Sequence, residues 1–198
     1  MNVAGPGYGG AMRVVAGVAG GRRLQAPAGR RVRPTSERVR EALFNALGSM
    51  DSITGATVLD LFAGTGALGI EALSRGATTA TFVDADPRAI AAIKANLQAT
   101  GMAERATVVQ ADVVRFLTER PPTEVDIAFA DPPYAFDGWA RVLEVLPARL
   151  VAIEARSHID LPPRWHPLRS KRYGDTVVTL ARFERDAVPE DEALPEEG

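Results

Sequence analysis

The segment Val58-Leu59-Asp60-Leu61-Phe62-Ala63-Gly64-Thr65-Gly66-Ala67-Leu68-Gly69 constrains the fold of this chain more than any other. A short apolar run passes into a glycine-containing loop and then into a helical pattern. Gly64 and Gly66 permit a tight turn and close backbone approach to a ligand, and the following helix offers its unpaired N–H groups at the same point. The rest of the chain repeats the alternation. Strand patterns occupy 57–62, 79–83, 106–110, 125–130, 150–154 and 177–183. Helical patterns occupy 68–75, 87–100, 113–119 and 138–149. Strands alternating with helices at this spacing predict a doubly wound α/β domain. Residues 169–176 can turn or pair as a terminal hairpin.

Ahead of that domain, residues 12–18 read as a strand, Gly20-Gly21 as a turn and 22–25 as a returning strand. A loop over 27–33 leads to a helix that starts at Pro34-Thr35-Ser36. Thr35 or Ser36 serves as its N-cap, Val39, Leu43, Phe44 and Leu47 form its apolar stripe, and Gly48 is its expected stop. This extension, 12–50, is too short to own a core and has to lean on the main domain. A chain of 198 residues with 46% hydrophobic side chains can bury one core, so a single domain over 12–183 is expected. Residues 1–11 read as a disordered leader and 184–198 as a disordered acidic tail.

Composition removes several function classes. The chain has no cysteine, which excludes disulfides, thiolate metal sites and a cysteine nucleophile and fits a reducing, cytoplasmic setting. The two histidines, His158 and His166, exclude a histidine-rich metal site, so no metal is expected. No apolar run approaches the roughly 18 residues of a membrane span, and the N-terminus lacks a signal-peptide pattern. The formal net charge of −2 conceals an asymmetry. Residues 1–40 carry Arg13, Arg22, Arg23, Arg30, Arg31, Arg33, Arg38 and Arg40 against Glu37 alone, whereas 184–198 carries seven acids against Arg185. Without that tail, the chain is at +4. A basic N-terminal face suits nucleic acid.

The glycine loop is neither a phosphate loop, since no lysine follows it, nor a dinucleotide fingerprint. Asp60 would repel a pyrophosphate and attract a cation. S-adenosylmethionine carries an ammonium and a sulfonium and no phosphate, so it suits Asp60. Asp84 closes the second strand, where a carboxylate can accept both ribose hydroxyls. Asp112 follows the third strand and can receive the adenine amino group, although it can equally cap the helix that begins at Val113. Phe62, Ala85 and Val113, beside these acids, are grouped with them as cofactor contacts.

Asp131-Pro132-Pro133-Tyr134 follows the apolar strand over 125–130. Two prolines fix φ and withhold two N–H donors, leaving a stiff segment rich in acceptors. An exocyclic amine needs that arrangement, because its lone pair is delocalised into the ring until acceptors hold the N–H bonds. Asp131 Oδ and the Pro132 carbonyl are the natural pair, and Tyr134 can stack on the base. The four residues are the expected catalytic set, acting by position and electrostatics without a covalent intermediate. Asp126 reads as a strand-entry acid, and His158 and His166 as surface or packing residues.

With these motifs in place, the sequence resembles class I S-adenosylmethionine-dependent methyltransferases that modify amines. The N-terminal elements narrow the resemblance. Met12-Arg13-Val14-Val15-Ala16-Gly17, Gly20-Gly21-Arg22-Arg23-Leu24 and the run from Arg33-Pro34-Thr35-Ser36-Glu37-Arg38 to Asn45 look like the bacterial 16S rRNA guanine-N2 methyltransferase family, over residues 12 to about 183. The resemblance implies a Rossmann-like fold and a guanine at small-subunit rRNA position 966 as substrate. It implies that Asp60, Gly64 and Gly66 hold the methionine part of the cofactor, Asp84 the ribose and Asp112 the adenine. Arg33, Thr35 and Arg38 are implied beside the active site. Lys171 and Arg172 match a late family segment that can touch RNA, and Arg13, Arg22 and Arg23 join them as RNA candidates. The implied partner is 16S rRNA within an assembling or assembled small subunit. A DNA adenine-N6 methyltransferase and a non-catalytic RNA-binding assembly protein on the same fold are the alternatives. The first lacks room here for a target-recognition region, and the second leaves the DPPY segment without a use.

Overall fold

The computed structural model describes residues 12–27, 37–133 and 135–185. After the N-terminal segment come α1 (Glu37–Ser49), β1 (Thr57–Leu61), α2 (Ala67–Ser74), β2 (Thr79–Asp84), α3 (Pro87–Thr100), β3 (Ala106–Gln110), α4 (Val113–Glu119), β4 (Val125–Ala130), α5 (Trp139–Val145), β5 (Ala148–Ala155), β6 (Trp165–Tyr173) and β7 (Thr176–Phe183). The strands form one sheet in the order β3-β2-β1-β4-β5-β7-β6. β1 to β5 are parallel, while β7 runs antiparallel between β5 and β6. The doubly wound α/β expectation is met. The winding reverses between β1 and β4, and the crevice above that reversal is where such sheets bind ligands.

Alternation along the strands builds a core on each face. Val58, Phe82, Ile127 and Phe129 point to the side covered by α1, α2 and α3, and Phe44 of α1 meets Phe129 at 5.5 Å between ring centroids. Leu59, Leu61, Val83 and Ala128 point to the side covered by α4 and α5. On that side the indole Nε1 of Trp165 donates to the Leu143 carbonyl at 2.9 Å, so the buried ring keeps its polar atom satisfied. Helix α2 approaches the sheet closely at Gly69. A Cβ there would lie 2.3 Å from Phe82 Cε1, so α2 can seat on the sheet only with glycine at this position.

Several boundaries differ from the sequence reading. The helix expected to run to 149 ends at Val145, because Leu146 precedes Pro147 and takes an extended ψ of 113°. Residues from Ala148 onward belong to β5 instead. The terminal hairpin exists but begins earlier, at Trp165. Pro167 is tolerated there because β6 is an edge strand, with a register shift between Pro167 and Arg169. α1 passes through Gly48 to Ser49. Its expected start, Pro34-Thr35-Ser36, lies outside the described residues, as do 1–11 and 186–198.

The N-terminal segment returns antiparallel as expected, but its pairing is short. Residues 12–18 and 22–25 share one isolated bridge, between Arg13 and Arg23. Their neighbouring backbone bonds are Leu24 N–H to Met12 O and Val14 N–H to Arg22 O. Other donors of the segment turn to α2. Val15 and Ala16 N–H give to the Glu71 carboxylate at 2.6 and 3.0 Å, and Ala19 N–H gives to Ser74 Oγ at 2.9 Å. Gly17, at φ 81°, passes so close to α2 that a Cβ would sit 1.9 Å from the Ser74 carbonyl oxygen. The extension leans on the domain as expected, with Val14, Ala19 and Leu24 buried in the α1–α3 core.

Candidate active site

The acids read from the sequence stand on neighbouring strands at one edge of the sheet. Asp60 is the penultimate residue of β1 and Asp84 the last of β2. Asp131 directly follows β4 and Asp112 follows β3 by two residues. β3, β2, β1 and β4 are consecutive in the sheet, so the four carboxylates span a row with strand spacings of about 4.8 Å.

Asp60 and Asp84 shape the glycine loop between them. Asp60 Oδ2 accepts from Gly69 N–H at 2.8 Å and Asp84 Oδ2 from Gly64 N–H at 2.8 Å. Asp84 Oδ1 also accepts from Asp86 N–H at 2.9 Å. Each carboxylate oxygen carries a second lone pair, so Asp84 can still receive a hydroxyl. Phe62, Gly64 and Gly66 all have positive φ, at 56°, 56° and 76°. For Phe62 that conformation is strained, and its half-buried ring packs edge-on against Phe136 at 4.9 Å, with Trp139 continuing the aromatic row at 5.4 Å. Asn96 braces the loop from α3: its Nδ2 donates to the Thr65 and Gln25 carbonyls at 2.9 and 3.0 Å, and its Oδ1 accepts from Gln25 N–H.

Asp112 caps α4, accepting from Arg115 N–H at 2.9 Å, and its side chain is exposed. The capping role weighed for it is therefore present. Ala85 is exposed at the end of β2, whereas the Val113 side chain is buried in the core, so only its backbone can face a ligand.

Asp60 is 2% exposed. Burial pushes its carboxyl well above the usual carboxylate range, the nearby Asp131 and Asp84 push it the same way, and the Gly69 hydrogen bond opposes them. A buried acid beside two others is a site that a cation relieves. The donor set, three carboxylates around a glycine loop at a helix start, thus fits a ligand with a positive centre and hydroxyl donors.

In the chemical segment, Pro132 is buried and Pro133 exposed. The Pro133 carbonyl accepts from Phe136 N–H at 2.8 Å and closes a turn, so only part of the acceptor set is open. The Pro132 carbonyl has no hydrogen-bond partner among the described residues. Tyr134 lies outside the described residues.

The basic residues divide. Arg33 and Thr35 fall outside the described residues. Arg13 pairs with Glu37 at 3.2 Å, Arg22 Nη1 donates to the Ala99 carbonyl at 2.8 Å, and Arg172 Nη1 donates to the Arg156 carbonyl at 3.2 Å. Arg23, Arg38 and Lys171 are exposed. His158 meets Ser170 Oγ at 3.1 Å and His166 meets Glu184 at 2.5 Å, both at the surface, and Asp126 takes the Thr57 N–H and hydroxyl at 2.9 and 2.8 Å.

A polar centre behind the site escaped the sequence reading. Arg40 and Glu71 both have fully buried side chains, with Nε–Oε2 at 3.7 Å. Arg40 Nη2 also donates to the Arg13 carbonyl. Burial lowers the Arg40 pKa, while Glu71 first, then Glu37 and Glu154, hold its charge. One signal was available for Glu71: it is the single charge in α2, all eight residues of which are buried. Arg40 had none, since an arginine in an Arg-rich helix reads as surface.

Comparison with known proteins bears on this arrangement. The model of a family described as conserved hypothetical protein 95 matches residues 12–182. The ribosomal RNA small subunit methyltransferase D of Escherichia coli K12 is 35% identical over 194 residues, 93% of this chain and 95% of that one. This chain belongs to the small subunit methyltransferase D family. The Haemophilus influenzae member is 34% identical over 180 residues, 85% of this chain and 92% of that one. Among solved structures, yhhF of Escherichia coli has a TM-score of 0.78 at 35% identity, covering 89% of this chain and all of that one. A protein of Thermus thermophilus gives 0.73 at 33% identity, covering 86% and 99%. The family is one of methyltransferase enzymes, and the Rossmann-like sheet described above is its fold. No helix among the described residues is long and apolar enough to cross a membrane.

Proposed function

We propose that this protein transfers a methyl group from S-adenosylmethionine to the exocyclic N2 of a guanine in 16S rRNA, position 966 by family resemblance. The observation that carries the reading is the juxtaposition at the β1/β4 reversal. Asp60 and Asp84 gather around the glycine loop on one side, and Asp131 stands next to them on the other with the Pro132 carbonyl, which has no hydrogen-bond partner among the described residues. Relatives over nearly the full chain length are named for rRNA, which supports that substrate class over DNA.

Asp60 and the loop at Gly64 and Gly66 would hold the charged methionine end of the cofactor, and Asp84 the ribose. Bound S-adenosylmethionine supplies an electrophilic methyl group. The chain's own contribution is to present the acceptor nitrogen. Asp131 Oδ and the Pro132 carbonyl accept the two N–H bonds of the amine, which turns the nitrogen lone pair out of the ring plane. Asp131 then retains the proton that the nitrogen releases. The stiffness of Pro132 and Pro133 keeps these acceptors in place without reorganisation. The aromatic row Phe62, Phe136 and Trp139, which begins at the glycine loop, would give the crevice an apolar side. A substrate inside a small subunit, in contact with ribosomal proteins, is what the family resemblance implies.

The test is transfer of labelled methyl from S-adenosylmethionine to small subunits lacking the modification, followed by mapping of the methylated base. Label on a guanine N2 of 16S rRNA is the expected result. Label confined to protein, to another base or to DNA would overturn it.

A further inference from the structure

The described surface holds one concentration of cations that the site above does not use. A groove of about 460 Å³ runs between α1 and β6. Arg38, Ala42, Asn45, Ala46 and Ser49 line it from one face of α1, and Arg169, Lys171 and Tyr173 from alternate positions of β6. Its floor is Val178 and Leu180 of β7. The small side chains of Ala42 and Ala46 keep the helix side shallow, so the rim is cationic and the floor apolar.

Several cations elsewhere on the surface are paired with acids. Arg75, Arg88, Arg115, Arg141 and Arg149 each lie within 3.3 Å of a carboxylate. Among the described residues, Arg38, Arg169 and Lys171 have no carboxylate partner and no acid lines the groove. Lys171 Nζ sits over the Tyr173 ring at 5.3 Å, which holds the ammonium forward without neutralising it. Three cations along one groove, without a carboxylate partner among the described residues, complement a polyanion, and Asn45 and Ser49 beside them suit phosphate and hydroxyl oxygens.

The register links the groove to the active site. Ala130 pairs with Ile153, so Asp131 and Glu154 lie at one level; Glu154 pairs with Val178, and Val178 with Lys171. Lys171 is therefore on the row of Asp131, three strands away, about 14 Å at ordinary strand spacing. It is on the same sheet face as Glu154, the face that α1 covers. Arg172, the next residue, projects to the opposite face and donates to Arg156, which is why only one of the two basic neighbours enters the groove.

We propose that the groove between α1 and β6 is the docking track for the RNA backbone that flanks the modified nucleotide, with Arg38, Arg169 and Lys171 taking phosphates. This rests on the reading that RNA is the substrate. The phosphates position the strand and carry no sequence information, so the groove sets affinity and register while the DPPY segment selects the amine.

The test compares the parent with Arg38→Gln/Arg169→Gln/Lys171→Gln and with each single variant. Probes are a naked 16S rRNA transcript and small subunits lacking the modification. All three side chains are exposed, and thermal melting with S-adenosylhomocysteine binding verifies the fold. The expected result is a slope of log affinity against log salt that falls by about three for the triple variant and about one for each single. The KM for subunits should rise about tenfold or more. Arg115→Gln, the same charge change on α4, should leave the slope unmoved. Parallel slopes and an unaltered KM in the triple variant would overturn the proposal. So would retained affinity for naked RNA with lost activity on subunits, which would make the groove a protein-docking surface. If the parent binds RNA with the steeper slope yet transfers no methyl, the groove stands and the methylation reading fails.

Discussion

At the scale of single residues, the proposed mechanism gives two carboxylates with different surroundings different tasks. Asp131 is the proposed acceptor, so its removal would take away the group that orients the amine. Asp131→Ala should lower the transfer rate by about 100-fold or more and leave cofactor affinity within a few-fold; single-turnover rates beside calorimetric affinities decide it. Asp60 is buried and its pKa is raised by burial and by its acidic neighbours. A raised acid favours the folded, ligand-free protein at low pH, and that contribution is lost as pH rises through the raised value. A cationic ligand reverses the preference by favouring the ionised carboxylate. The stabilisation given by S-adenosylmethionine should therefore grow as pH rises through that range, with proton release on binding. Calorimetry in two buffers of different ionisation enthalpy measures the release, and zero release across the range would remove Asp60 from contact with the cation.

At the scale of elements, α2 does more than support the glycine loop. Glu71 takes two backbone N–H groups of the N-terminal segment, the Arg75 guanidinium at 2.7 Å and the charge of buried Arg40 from α1. One carboxylate thus ties the extension, α1 and α2 together directly behind the loop. Glu71→Ala should cost about 3–5 kcal/mol, because it leaves a buried guanidinium without its counter-charge. Urea denaturation checks the loss, and a value below about 1 kcal/mol would mean that Arg40 re-pairs with Glu37 or Glu154. The same connection explains why residues 12–25 return antiparallel over one bridge and not as two full paired strands. Side chains of α2 compete for the donors a second strand would have used.

At the scale of the molecule, β7 runs antiparallel to β5, so Phe183 lies at the end of the sheet opposite Asp60, Asp84 and Asp131. Removing residues 186–198 deletes six acids and shifts the formal net charge from −2 to +4. Association with RNA should then be faster at low salt and converge with the parent at high salt, as expected for a long-range field rather than a contact. Stopped-flow binding across a salt series tests this. Lost methyl transfer in the shortened chain would instead assign the tail a part in the site.

Much of the protein was legible along the chain because its signals are local. Glycines after an apolar strand, acids at strand ends, and two prolines after an acid all act through neighbours in sequence, so the sheet, its winding and the DPPY segment could be read directly. Helix ends were less secure where one proline outranks a long apolar pattern, as Pro147 does. What only the tertiary structure decided involves residues far apart in sequence. Arg40 meets Glu71 across 31 positions, and Arg38 faces Lys171 across a groove that exists only because β6 returns beside α1. A charge on a helix looks the same in sequence whether it faces water, a buried partner or a phosphate. The fold alone determines which, because burial and distance set the energy of a charge.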